Sequence, residues 1–133
     1  MGLTDEERKE VVQYRMEKAI NTFSEIALLT SNKLWHNAAN RLYYACFYAV
    51  TALLIKNGIA TKTHHGVSNQ FGLHFVKTGV FTQIEGRLFK DLFGLRQDGD
   101  YEDWVDIIED DVMPLIEPVR KFIEKIERLI VEE

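Results

Sequence analysis

Asn37-Ala-Ala-Asn-Arg-Leu-Tyr-Tyr-Ala-Cys-Phe-Tyr-Ala-Val-Thr-Ala-Leu-Leu-Ile55 sets the architecture of this chain. At helical spacing, Leu42, Ala45, Cys46, Ala49, Ala52 and Leu53 form one apolar stripe. Tyr43, Phe47, Val50 and Leu54 form a second, and Arg41, Tyr44, Tyr48 and Ile55 a third. A helix on the surface of a bundle shows one such stripe; a helix apolar nearly all round must be enclosed. Ala45, Ala49 and Ala52 interleave with the aromatics, so neighbours can approach closely at some levels and insert rings at others. The stretch therefore reads as the central helix of a helical domain, covered on one face by a second copy of the chain.

Outward from it, the pattern stays helical. The spacing predicts a first helix over residues 5–29, with Thr4 as N-cap and Glu7 completing a capping box. Val12, Met16, Ala19, Phe23, Ile26 and Thr30 form its seam. A turn at Ser31-Asn32 leads to the central helix, residues 34–57, which stops at Asn57-Gly58. A connection so short makes the two helices antiparallel neighbours. A short third helix over 65–77 is capped by Thr63, carries Val67, Phe71 and Phe75, and ends at Gly79. The fourth, 82–97, has Ile84, Leu88, Leu92 and Leu95 on one side and Phe89, Phe93 and Arg96 on the next. Gly86 and Gly94 weaken it by about 1 kcal/mol each relative to alanine, so close packing or a partner should support it. Residues 97–103 read as a polar connection. The last helix, 109–131, carries Val112, Leu115, Val119, Phe122, Ile126 and Leu129, with Glu109, Asp110 and Asp111 at its positive end. Pro114 is tolerable near its first turn, while Pro118 should kink it. No stretch alternates with period two. The expectation is an all-α chain of four long helices and one short one, forming a single domain over residues 1–133.

A length of 133 residues suffices for a core without staples, and 46% hydrophobic with 28% charged residues is ordinary for a globular protein. The single cysteine, Cys46, excludes an intrachain disulfide and lies in the most apolar helix, so a reducing, cytoplasmic setting is expected and a reactive thiol is not. The charged N-terminus lacks the features of a signal peptide. The uncharged run 42–55 is shorter than the roughly 20 residues that span a bilayer, so no membrane is expected. A net charge of −5 disfavours broad electrostatic binding of nucleic acid but allows a local basic pocket.

Three polar groups carry candidate chemistry. Arg96, partly buried beside Phe89 and Phe93 and followed by Asp98, Asp100 and Tyr101, could hold a phosphate bidentately or pair with the loop acids. His64 and His65 open the third helix, where a histidine can bind an anion, move a proton, or only cap. Arg41, with Tyr44 and Tyr48 on the same face, is one charge in an apolar element and must meet a carboxylate, a backbone end or a ligand. His64, His65, His74 and the Asp98/Asp100 pair have no metal-ligand spacing, so no metal or other cofactor is assigned. Trp35 and Trp104 read as anchors at helix ends.

Three segments in this order, the aromatic run 39–54, Lys62-Thr-His64 with Phe71 and Phe75, and Arg96 to Tyr101, resemble the HEPN domain in its small stand-alone bacterial and archaeal form. The resemblance spans about residues 5–129. It implies an up-and-down bundle of four main helices, a homodimer, and a role beside small nucleotidyltransferases in toxin–antitoxin or defence systems. Active members of that family are metal-independent ribonucleases with an Arg-x(4–6)-His motif. Arg96 matches the arginine, but Tyr101, Glu102 and Asp103 occupy the histidine positions. Tyrosine, with an ordinary pKa near 10, is a poor base at neutral pH.

Three readings follow. One is a dimeric module, weakly catalytic or inactive, that binds RNA, a nucleotide or a nucleotidyltransferase partner around Arg96, Asp100, Tyr101 and His64, with Arg41, Tyr44 and Tyr48 alongside. The second is a ribonuclease in which His64 or Tyr101 assists Arg96. The third is a structural interaction protein whose arginines are satisfied ion pairs.

Overall fold

Thr4 opens the first helix as its spacing predicts. Its hydroxyl accepts from Glu7 N–H at 3.1 Å, and its own N–H donates to Glu7 Oε1 at 2.8 Å. The computed structural model describes residues 2–101 and 106–132, and of these the side chains of all but 98–101. Within them the chain is all-α: α1 (Asp5–Ser24), α2 (Ile26–Ser31), α3 (Trp35–Lys56), α4 (His64–Phe71), a π-helical turn (Gly72–Val76), α5 (Gln83–Tyr101) and α6 (Glu109–Val131).

The expected first helix is divided in two near its end. The Ser24 hydroxyl donates to the Asn21 carbonyl at 2.6 Å, the acceptor that Glu25 N–H would use in a continuing α-helix. Glu25 N–H turns instead to Thr22 O at 3.2 Å, and the helix restarts as α2. A serine hydroxyl competing for a backbone carbonyl accounts for the break. The reversal into α3 lies one residue later than Ser31-Asn32 suggests, at Lys33, whose φ of 58° is left-handed. Leu34 N–H then closes onto Leu29 O at 2.9 Å, which satisfies the end of α2.

α3 is the hub. It packs on α1, α5, α6, α2 and α4, and Leu42, Ala45, Cys46, Ala49 and Val50 have no exposed surface at all. Burial of this helix, 67% of its most apolar stretch, is that of a core element, although its length and composition would also suit a membrane span. The third stripe behaves differently. Arg41, Tyr44, Tyr48 and Ile55, together with Phe47, are only half-buried, so one side of α3 is open within the chain. Burial pushes the Cys46 thiol well above the usual range, consistent with an inert core cysteine.

Two long-range caps tie the bundle ends. Arg8 donates to Ile55 O at 2.9 Å, holding the start of α1 against the end of α3. Lys56 donates to Leu129 O at 3.0 Å and to Glu132 O at 2.6 Å, covering the carbonyl end of α6. A cation at each negative helix terminus satisfies carbonyls that have no partner within the helix. The contacts make α3 antiparallel to α1 and parallel to α6, as an up-and-down order of the four long helices requires.

The second half departs from the expected pattern in three places. Thr63 caps the third helix by accepting from Gly66 N–H at 2.8 Å, but the helix widens after Phe71 into the π turn, closed by Lys77 N–H to Gly72 O at 2.8 Å. α5 does not stop at Gln97. It runs a further turn to Tyr101, which keeps the carbonyls of the preceding turn hydrogen-bonded. Its buried strip is Phe89 and Leu92, while Ile84, expected on the packed side, sits in its first turn and is 82% exposed. Gly86 is where support was expected: a Cβ there would sit 2.9 Å from Val76 Cγ2 on the π turn. Among the described residues Gly94 has nothing within 4 Å of that position. α6 runs unbroken over its expected span, with Pro114 and Pro118 inside it.

Candidate functional site

Tyr43 looks from sequence like one more ring in the second apolar stripe. It is buried, and its hydroxyl lies 2.7 Å from His64 Nδ1. A buried phenol needs a hydrogen-bond partner, and the N-terminal residue of α4 supplies it. The Tyr43 ring is stacked near-parallel to Phe89 at 5.9 Å and tilted against Phe93 at 5.5 Å, so α5 fixes its position. Burial above all raises its pKa far beyond the ordinary tyrosine value; the phenol stays protonated at any physiological pH.

His64 is held as firmly. Its ring stacks on Phe47 at 4.5 Å and meets the edge of Tyr44 at 5.9 Å. Partial burial lowers its pKa below 6.5, and the charges of Arg96 and His65 push in the same direction. The imidazole is therefore neutral at pH 7. The bond to Tyr43 Oη runs in either direction with the tautomer; when Nδ1 carries the proton and donates it, Nε2 keeps its lone pair.

Arg96 comes from α5 to the same pair of tyrosines. Its guanidinium carbon is 5.9 Å from the Tyr43 ring centre and 5.4 Å from that of Tyr44. Arg41 reaches Tyr44 at the same 5.4 Å, so this ring has two guanidinium groups within cation–π range. Tyr48 adjoins Tyr44 at 5.8 Å, and Lys18 sits 4.7 Å over Tyr48.

Arg96, His64, Tyr44, Arg41 and Tyr48 are thus brought together from three elements separated in sequence. Arg41 differs from expectation in one respect. It is half-buried rather than enclosed, and it donates from Nε and Nη2 to Asn40 Oδ1 at 3.1 and 2.7 Å. Among the described residues no carboxylate pairs with it. Partial solvation removes the need for a counter-charge. The side chains of Asp98, Asp100 and Tyr101 lie outside the described residues, as do Glu102, Asp103 and Trp104. His65 packs its edge against Phe93 at 5.3 Å, whereas His74 is elsewhere, exposed on the π turn and bonded to Gln70 at 3.0 Å. Among the described residues no three His, Cys, Asp or Glu side chains gather as a metal site would need.

Tyr43 and Phe47 were not legible as site residues. The one available signal was a hydroxyl in an otherwise apolar stripe.

A helical bundle whose central aromatic helix presents a cationic Arg–His–Tyr cluster on its open side is the class these features define. Comparison with known proteins gives it a family. The HEPN domain model matches residues 12–129, and the chain belongs to that family. It is 36% identical over 124 residues to a UPF0332 protein of Thermotoga maritima, covering 93% of this chain and 94% of the relative. Two proteins of Methanocaldococcus jannaschii are also similar. "Putative toxin MJ0605" is 36% identical over 100 residues, 75% of each chain. "Putative toxin MJ0142" is 27% identical over 128 residues, 94% of this chain and 85% of that one.

Proposed function

We propose that this chain is the toxin-type HEPN module of a two-component system, a homodimeric RNA-binding protein with weak, metal-independent ribonuclease activity. The observation that carries this reading is the meeting of neutral His64 with Arg96 on the Tyr43–Tyr44 pair. The family's motif histidine is absent after Arg96, and His64 supplies an imidazole from another helix.

In this reading Arg96 binds a phosphodiester oxygen and stabilises the charge that grows on it. In the tautomer protonated at Nδ1, His64 Nε2 takes the proton of the ribose 2′-hydroxyl, whose oxygen then bonds to phosphorus. The bond to the 5′-oxygen breaks, and that oxygen takes a proton from water. The products are a 2′,3′-cyclic phosphate and a 5′-hydroxyl. Tyr43 keeps the imidazole oriented, while Tyr44, Arg41 and Tyr48 offer stacking and charge to the flanking strand. Tyr101 and Asp100 remain candidates beside Arg96. Support for the toxin role comes from the names of the two Methanocaldococcus jannaschii relatives. The half-buried aromatic face of α3 supports a second copy of the chain packed beside it, so that the two copies wall one cleft for the strand. A nucleotidyltransferase partner and a cytoplasmic setting, in keeping with the buried Cys46, complete the proposal.

The test is cleavage of single-stranded RNA in the presence of a chelator. Wild type should yield cyclic phosphate ends, and Arg96→Ala and His64→Gln should each abolish them. Binding that depends on Arg96 without any cleavage would leave the module as a binder only. RNA binding and cleavage that ignore both residues would end the proposal.

A further inference from the structure

His64 and Phe47 face a second feature besides the Arg96 cluster. With α1, α3 and the loop 59–63 they line a cavity of about 390 Å³, a volume within the range of small-ligand sites. Its wall is apolar where Phe47, Ile55, Ile59 and Val67 meet, and cationic where Arg15 and Lys62 reach it. Among the described residues no carboxylate lines it, in a chain whose net charge is −5. Arg15 is half-buried, yet among the described residues neither it nor Lys62 makes a hydrogen bond or ion pair. An apolar wall edged by two cations suits one chemical class: a flat, weakly polar ring system carrying a phosphoryl group.

We propose that this cavity is the subsite for the nucleotide adjoining the one held at Arg96, with Arg15 and Lys62 on its phosphate and its base against the apolar wall. This inference rests on the RNA reading above. The shared wall gives the reason for adjacency: a strand bound at Arg96 and passing His64 enters the cavity next. Phosphate contacts supply affinity, and the apolar wall offers the base a surface to pack against.

The test uses a fluorescent 2′-O-methyl RNA tetranucleotide, which lacks the attacking hydroxyl, titrated against the intact protein at several salt concentrations. The double variant Arg15→Gln/Lys62→Gln should weaken binding at least tenfold. It should also flatten the log–log salt dependence by about 0.7, the increment for one phosphate contact on a single strand. Arg15→Lys/Lys62→Arg should restore most of the affinity, and the charge-matched Lys33→Gln/Lys121→Gln should not reproduce the loss. Wild-type binding that Arg96→Ala weakens and the Arg15/Lys62 pair does not would overturn the subsite and leave the Arg96 reading intact. Dependence on Arg15 and Lys62 but not on Arg96 would keep the cavity as a nucleotide site and remove the Arg96 cleft. Competition by a free nucleoside monophosphate as strongly as by the tetranucleotide would show a site for free nucleotides and overturn the strand assignment.

Discussion

Tyr43 Oη lies 2.7 Å from His64 Nδ1, joining the middle of the central helix to the first residue of α4. This bond fixes the imidazole against Phe47 and within the field of Arg96, and most of what can be tested about the site passes through it.

Tyr43→Phe keeps the ring packed between Phe89 and Phe93 and removes only the hydroxyl. Loss of one hydrogen bond should cost about 1 kcal/mol of stability, read from urea unfolding. In the proposed reaction Tyr43 acts through His64, so the variant should move the pH profile of cleavage as well as its rate. A merely structural hydroxyl would lower stability and leave the profile in place.

The depressed pKa of His64 fixes the sign of a pH effect. The unfolded chain titrates near 6.5 and the folded site lower, so on acidification the unfolded state takes up its proton first. Stability from this group is complete above about pH 6.5. It falls as pH drops from there through the folded value, and is level below that. His64→Gln should remove this component. Unfolding curves at pH 7.5, 6.5 and 5.5, about one pH unit apart, compare the slopes of wild type and variant; equal slopes would contradict the assignment.

Gly86 and Gly94, two helical glycines eight positions apart, should respond oppositely to alanine. At Gly86 a methyl meets the branched side chain of Val76 at 2.9 and 3.2 Å. The clash should outweigh the helix propensity gained, for a net loss of about 1 kcal/mol or more, and Val76→Ala in the same chain should relieve it. Gly94→Ala meets open space and should stabilise by about 0.5–1 kcal/mol. Melting temperatures of the three variants check both signs.

Lys56→Met removes the cation that covers three carbonyls at the end of α6. A loss of about 1–2 kcal/mol is expected from charge-assisted bonds at a helix terminus. Hydrogen exchange should quicken in the last turn of α6 more than in its middle.

The helices were legible because helix signals are local. Thr4 and Glu7 are three apart, the seams repeat every three or four residues, and Asn57-Gly58 stops α3 where a left-handed residue can sit. Even the misread points were local in cause: the Ser24 hydroxyl that breaks the first helix, and the extra residue that widens Gly72–Val76 into a π turn. Neither leaves a mark on hydrophobic periodicity.

The family resemblance and the candidates Arg96, His64, Arg41, Tyr44 and Tyr48 also came from sequence alone, as types of residue in suggestive places. Their meeting did not. Tyr43 and His64 are 21 positions apart, and Lys56 lies 73 from the carbonyl of Leu129. Whether such groups touch depends on how α3, α4 and α5 pack, and packing is set by the fit of many side chains together rather than by any local rule. The same packing decided that Arg41 is half-solvated and that Arg15 and Lys62 edge a cavity. Sequence determined which helices form and which residues could do chemistry; the tertiary structure determined which of them share a site.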